Sequence, residues 1–257
     1  MTPSHLTILT GASRGMGAAM AEQLLQPGRS LLCLSRGTRP ALAAQAAKAG
    51  AVLEQWPLDL AEPVAAATRL EAWLQAQDGE AFESTTLINN AAALTALAPL
   101  EASDALEQSR ALRVGLEAPV LLTAAFLRAT QRWRARRLGQ CKVLNISSGL
   151  GRFAMASQAN YCAVKAGLDH FSRSVALDQA HAPHPARIVS LAPGVIDTDM
   201  QVQLRAGDPA RFPDLDRFVQ MKASGQLDSP AAAAAKVLAF LARDDFGDKP
   251  VADVRDP

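Results

Sequence analysis

The sequence is poor in the residues that staple small extracellular domains. It has 3 cysteines, Cys33, Cys141 and Cys162. The count is odd and no CxxC spacing occurs. Neither a disulfide framework nor a zinc site is indicated, and a reducing, cytoplasmic setting is expected. The 4 histidines, His5, His170, His181 and His184, lie apart without ligand spacing, so no metal is expected. Charge of one sign is also missing. Lysine plus arginine number 26 against 25 acids, a formal net charge of +1. That balance excludes the broad basic face of a general nucleic-acid binder. The one local basic run, Arg132, Arg134, Arg136 and Arg137, reads as the solvated end of a helix. No apolar stretch reaches the ~20 residues that span a bilayer. Residues 1–13 lack a basic stretch followed by an apolar run, so no signal peptide is expected. Tyrosine is the scarcest type: the chain has 1, Tyr161.

What is present is material for a large core: 257 residues, 49% of them hydrophobic. One domain over 1–257 is expected. Short apolar runs at 6–10, 30–34, 52–57, 86–89, 142–146, 187–191 and 250–254 predict strands. Segments with helical spacing separate them, at 16–25, 40–49, 63–77, 102–113, 118–137, 158–180 and 230–242. The Gly- and Pro-rich stretch 207–213 sits where a mobile loop could lie. Such alternation predicts an α/β fold: a single Rossmann-type, doubly wound parallel sheet of about seven strands, with helices on both faces.

The first strand runs into Gly11-Ala12-Ser13-Arg14-Gly15-Met16-Gly17. Gly11 permits a tight turn, Gly15 lets backbone approach a pyrophosphate, and Gly17 lets the helix pack closely on the sheet. The helix opening here offers free N–H groups and a positive dipole end to phosphate. This strand-turn-helix context predicts dinucleotide binding. After the second strand an NAD site usually has an acid on the ribose. Here Ser35-Arg36 stands instead, with Arg14 in the glycine turn. Two guanidinium forks suit the 2′-phosphate of NADP(H). Asp59-Leu60 follows the third strand. Asp59 could accept from an adenine amino group or cap the next helix.

A second constellation is Ser147, Tyr161 and Lys165. Tyr161 and Lys165 are four apart on a predicted helix and share a face. Ser147 follows the strand 142–146, where carboxyl-end loops form ligand crevices. Reducing a ketone builds negative charge on its oxygen, and something must then supply a proton. Tyrosine's free pKa of ~10 is too high for easy exchange near neutrality. A lysine ammonium favours the phenolate, and Ser147 could hold the carbonyl oxygen. Phe153, Met155 and Met200 flank the crevice as a substrate wall or as lid packing.

Together TGASRGMG at 10–17, DL at 59–60, NNAA at 89–92, ISS at 146–148, YCAVK at 161–165 and PGVIDTDM at 193–200 resemble the short-chain dehydrogenase/reductase family. The resemblance implies NADPH-dependent carbonyl reduction, with Ser147, Tyr161 and Lys165 catalytic. It places Asn90 and Ala91 along the cofactor ribose, Pro193, Gly194, Ile196 and Thr198 against the nicotinamide half, and Tyr161 and Lys165 in contact with the cofactor as well. It also implies a homodimer or homotetramer through the helices 118–137 and 158–180. The segments LEAPVLLTAAFL at 116–127 and RIVSLAPGVIDTDMQ at 187–201, with the tail VADVRD, resemble the sepiapterin and benzil reductase branch. There an acid near the C-terminus holds the pterin, and Asp253 sits at the matching place. One departure stands out. Gly115 occupies a position where the family commonly has an asparagine that holds a relay water. It motivates the alternative of a non-catalytic NADP(H)-binding protein.

Overall fold

The structure is a computed structural model and describes residues 5–135 and 141–256. In chain order the elements are β1 (His5–Thr10), α1 (Gly15–Leu24), β2 (Arg29–Ser35), α2 (Pro40–Ala49), β3 (Val52–Pro57), α3 (Pro63–Gln75) and β4 (Ser84–Asn89). Then come α4 (Ala105–Leu112), α5 (Ala118–Ala129), α6 (Gln131–Arg134), β5 (Cys141–Ile146), α7 (Ala159–Ala180) and β6 (Arg187–Ala192). The last are α8 (Asp199–Arg205), α9 (Leu215–Ala223), α10 (Pro230–Ala242) and β7 (Val251–Asp253). Local chemistry sets several boundaries. Proline opens α2, α3 and α10, where a missing N–H is harmless. Asp104 accepts from Glu107 N at 2.8 Å and Ser229 from Ala232 N at 3.1 Å, capping α4 and α10.

All seven strands are parallel, in the order β3-β2-β1-β4-β5-β6-β7. The chain winds outward through β2 and β3, returns to β4, and winds the other way. The switch point lies between β1 and β4, and ligand crevices form at the strands' carboxyl ends there. Successive side chains on a strand point to opposite faces. In β2, Leu31 and Cys33 therefore join a core with α1, α2 and α10, while Leu32 and Leu34 join another with α3 and α5. Each fully buried leucine contributes about 2 kcal/mol of hydrophobic free energy. No described helix is long and apolar enough to cross a membrane.

Four expectations change. β3 is an edge strand with alternating exposure, not a continuous apolar run. The segment 102–113 begins its α-helix only at Ala105, and the helix expected over 118–137 breaks at Thr130. The basic run is not all solvated: Arg134 is buried. Its guanidinium donates to Gln179 Oε1 at 2.7 Å, His184 O at 3.0 Å and Leu127 O at 3.0 Å. Arg136 and Arg137 lie outside the described residues. The stretch 207–213 connects α8 to α9, and Phe212 within it is fully buried against Phe218.

Candidate active site

One cleft of about 920 Å³ opens at the carboxyl ends of the strands. Its floor at one end is the glycine turn. Gly11 has φ +73°, and a Cβ there would stand 2.9 Å from Ala91 Cα. A Cβ at Gly17 would collide with the Gly11 carbonyl, so only glycine lets α1 sit this close. The turn is tied to β4 by Thr10, whose Oγ1 accepts from Asn90 N at 2.9 Å and Ala91 N at 3.0 Å. The Asn90 amide donates to the carbonyls of Thr10 and Gly11 at 3.0 and 3.3 Å. No side chain caps α1 and no acid stands in its first turn. Its N–H groups and dipole are thus free for phosphate, and the cradle fits a dinucleotide.

Ser13, Gly15 and Met16 line this end with Gly11 and Gly17. Ser35 and Arg36 stand at the rim; Ser35 Oγ donates to Gly37 O at 2.8 Å, and Arg36 is exposed. Arg14 reaches across to Asp199 at 3.1 Å, an exposed pair. Asp59 and Leu60 line the wall beyond. Asp59 does not cap α3: its Oδ1 accepts from Ala61 N at 2.9 Å, and its Oδ2 is held by Arg110 at 2.7 Å. Those bonds keep its carboxyl below the usual range, led by the Ala61 N–H. The segment after β6 closes over the turn. Pro193, Gly194, Ile196 and Thr198 all face the cleft, with Thr198 above Gly15.

At the other end, Tyr161 and Lys165 project from one face of α7 into the cleft. Lys165 Nζ stands 5.5 Å from the Tyr161 ring centroid and donates to Ile146 O at 2.7 Å. Burial pulls the ammonium down to about 8, and the charge of Asp169 opposes that shift. Burial pushes the Tyr161 phenol up to about 12, partly offset by a hydrogen bond with Ser148.

The serine beside the tyrosine is therefore Ser148 and not Ser147. Ser147 also borders the cleft but is buried, and its hydroxyl donates to Asp169 Oδ1 at 2.5 Å. Adjacent residues leaving a strand point to opposite sides, so only one of the pair can meet the phenol. Asp169, four residues past Lys165, escaped the sequence reading although that spacing puts it on the same helical face.

The wall expected to meet substrate carries apolar side chains. Phe153, Met155 and Met200 line it, and both methionines pack on the cluster of Leu204, Phe212 and Phe218. Phe153 is 71% exposed. Asp253 is absent from the wall. It is buried, and its carboxylate takes a two-pronged bond from Arg255 at 2.7 and 2.6 Å. Arg255 presents the tail's charge to the cleft instead. Gly115 is buried in a π-helical turn at Arg113–Glu117, between α4 and α5. A Cβ there would stand 2.6 Å from Val164 Cγ1, so valine occupies the room an asparagine would need.

The sheet order, the glycine cradle and the Tyr-Lys face define a nucleotide-dependent oxidoreductase of Rossmann architecture. The chain belongs to the short chain dehydrogenase family, whose model matches residues 5–209. It is similar to benzil reductase ((S)-benzoin forming) of Bacillus cereus, with 32% identity over 239 residues, 93% of this chain and 94% of that protein. It is similar to sepiapterin reductase of Xenopus tropicalis, with 33% identity over 256 residues, 95% and 93% of the two chains. A solved short-chain dehydrogenase/reductase from Burkholderia vietnamiensis is 35% identical, covers 100% of this chain and 99% of its own, and superposes with a TM-score of 0.65. The expected branch is thus the observed one, and the family's cofactor is a nicotinamide dinucleotide.

Proposed function

We propose that this oxidoreductase is an NADPH-dependent carbonyl reductase for a ketone or dicarbonyl substrate, with Tyr161 as proton donor. The observation carrying the reading is the Tyr161 phenol, set in the cleft with Ser148 and Lys165 beside it. When bound, the nicotinamide supplies hydride to the carbonyl carbon. Negative charge then grows on the substrate oxygen, and the phenol O–H neutralises it. The Ser148 hydroxyl holds that oxygen in place. The Lys165 cation favours the phenolate left behind. Arg36 and Arg14 receive the 2′-phosphate of NADPH.

The likeness to benzil and sepiapterin reductases supports a carbonyl flanked by a second polar group, against the apolar wall of Phe153, Met155 and Met200. The same reading carries a cytoplasmic homodimer or homotetramer packed through α5 and α7, where Leu177 is 69% exposed. The test is NADPH oxidation with a panel containing benzil and a pterin ketone. Turnover of a panel member is expected. Gly115 favours one other reading, a non-catalytic NADP(H)-binding protein. Tight NADPH binding with no turnover across the panel would establish that reading and remove the first.

A further inference from the structure

Three consecutive residues at the end of β5 face three successive turns of α7. Ser148 sits beside the Tyr161 phenol, the Ile146 carbonyl accepts from Lys165 Nζ at 2.7 Å, and the Ser147 hydroxyl donates to Asp169 at 2.5 Å. Positions 161, 165 and 169 share one helical face. The first two bonds place groups that face the cleft. The third lies behind them: Asp169 is 1% exposed and does not line the cleft.

Asp169 is also a hub. Its Oδ1 accepts a second bond, from Ser190 Oγ of β6 at 2.6 Å. Its Oδ2 makes no hydrogen bond and faces the Arg152 guanidinium at 3.5 Å. Arg152 also donates to Ala252 O of β7 at 2.7 Å. Room for the carboxylate depends on Gly151, where a Cβ would stand 2.9 Å from Oδ2. A buried carboxylate with one unbonded oxygen is costly to keep and calls for a physical reason.

We propose that Asp169 is a positioning residue of the reacting set. Through Ser147 it fixes the register of 146–148 against α7, and its negative charge supports the Lys165 ammonium. This rests on the carbonyl-reductase reading for its effect on turnover. The charged and titratable groups beside Lys165 are Tyr161 and Asp169 on α7, and Arg152, in the turn after β5, faces Asp169. Behind Arg152 stands Asp253 of β7, 3.9 Å away and paired with Arg255.

Ser147 and Ser190 offer a matched comparison. Both hydroxyls are buried and both donate to the same oxygen, but only Ser147 belongs to the tripeptide. Ser147→Ala is expected to lower kcat roughly tenfold by loosening Ser148 and Ile146, whereas Ser190→Ala stays within about twofold. Equal effects of the two would overturn the proposal. Asp169→Asn, nearly isosteric, removes the charge. The Lys165 side-chain resonance, followed by NMR against pH, is expected to titrate about one unit lower in that variant. An unmoved titration overturns the electrostatic half. If Asp169→Asn does not fold, the serine pair decides. If the wild-type chain reduces no carbonyl, the reductase reading fails, while the NMR titration still decides what Asp169 does for Lys165.

Discussion

The two ends of the cleft are built from different materials. The nucleotide end is backbone: a glycine turn tied down by Thr10 and Asn90, and a bare helix terminus. The reacting end is side chain: a phenol, an ammonium and two adjacent hydroxyls, aimed by buried polar contacts from three strands. Backbone sites tolerate few residue types and leave a spaced signature. Side-chain sites depend on which way each neighbour points, and that is set by tertiary contact.

If the ends differ in this way, substitutions should separate them. The largest separation is expected from Ser148→Ala, which should lower kcat about a hundredfold while NADPH affinity is unchanged. Stopped-flow turnover with a cofactor titration checks it, and a matching loss of affinity would erase the distinction between ends. Arg36→Asp should do the reverse. NADPH binding should weaken roughly tenfold or more, NADH binding should change little, and kcat at saturating cofactor should hold. Equal losses for both cofactors would remove the 2′-phosphate role.

The pH profile belongs to the reacting end alone. Lys165 is protonated below its depressed value of about 8 and neutral above it. On the proposed mechanism, reduction needs the phenol protonated and the ammonium charged. The phenol, near 12, stays protonated throughout, so kcat/KM for the carbonyl should be flat below about pH 8 and fall above it. A fall toward acid instead would reverse the assignment. The smallest functional effect is expected far from both ends. Arg134→Ala removes a buried guanidinium that ties α6 to Gln179 and His184. It should destabilise by about 2 kcal/mol, roughly 5 °C in Tm, with kcat unchanged.

Much of the fold was legible because its signals are periodic. Short apolar runs between helical segments named all seven strands, and the bounds of α2, β3 and α10 match the structure. The helices α8 and α9 were not legible. They are short, lie outside the βαβ pattern, and are held by the buried Phe212 among polar and Gly/Pro residues that read as loop. At the site, every proposed cofactor residue lines the cleft, because the glycine turn and strand ends fix them locally.

Ser147 and Asp253 show where local reading stops. Two serines in a row give no sign of which turns toward Tyr161; the answer depends on Asp169 capturing the first. Asp253 carries the charge expected near the substrate, but Arg255 two residues on neutralises it and takes its place at the wall. Arg134 escaped for the same reason. A basic run reads as solvent-facing, and only the packing of α6 shows one member turned inward.

On the proposed reading Tyr161 delivers the proton, while the glycine turn and Arg36 carry most of the cofactor's binding. The direct measurement is single-turnover NADPH oxidation by wild type and Tyr161→Phe, each with the best carbonyl of the panel, alongside the NADPH dissociation constant. The phenylalanine variant should lose about a thousandfold in rate and bind NADPH as wild type does. Wild-type turnover by Tyr161→Phe would contradict it.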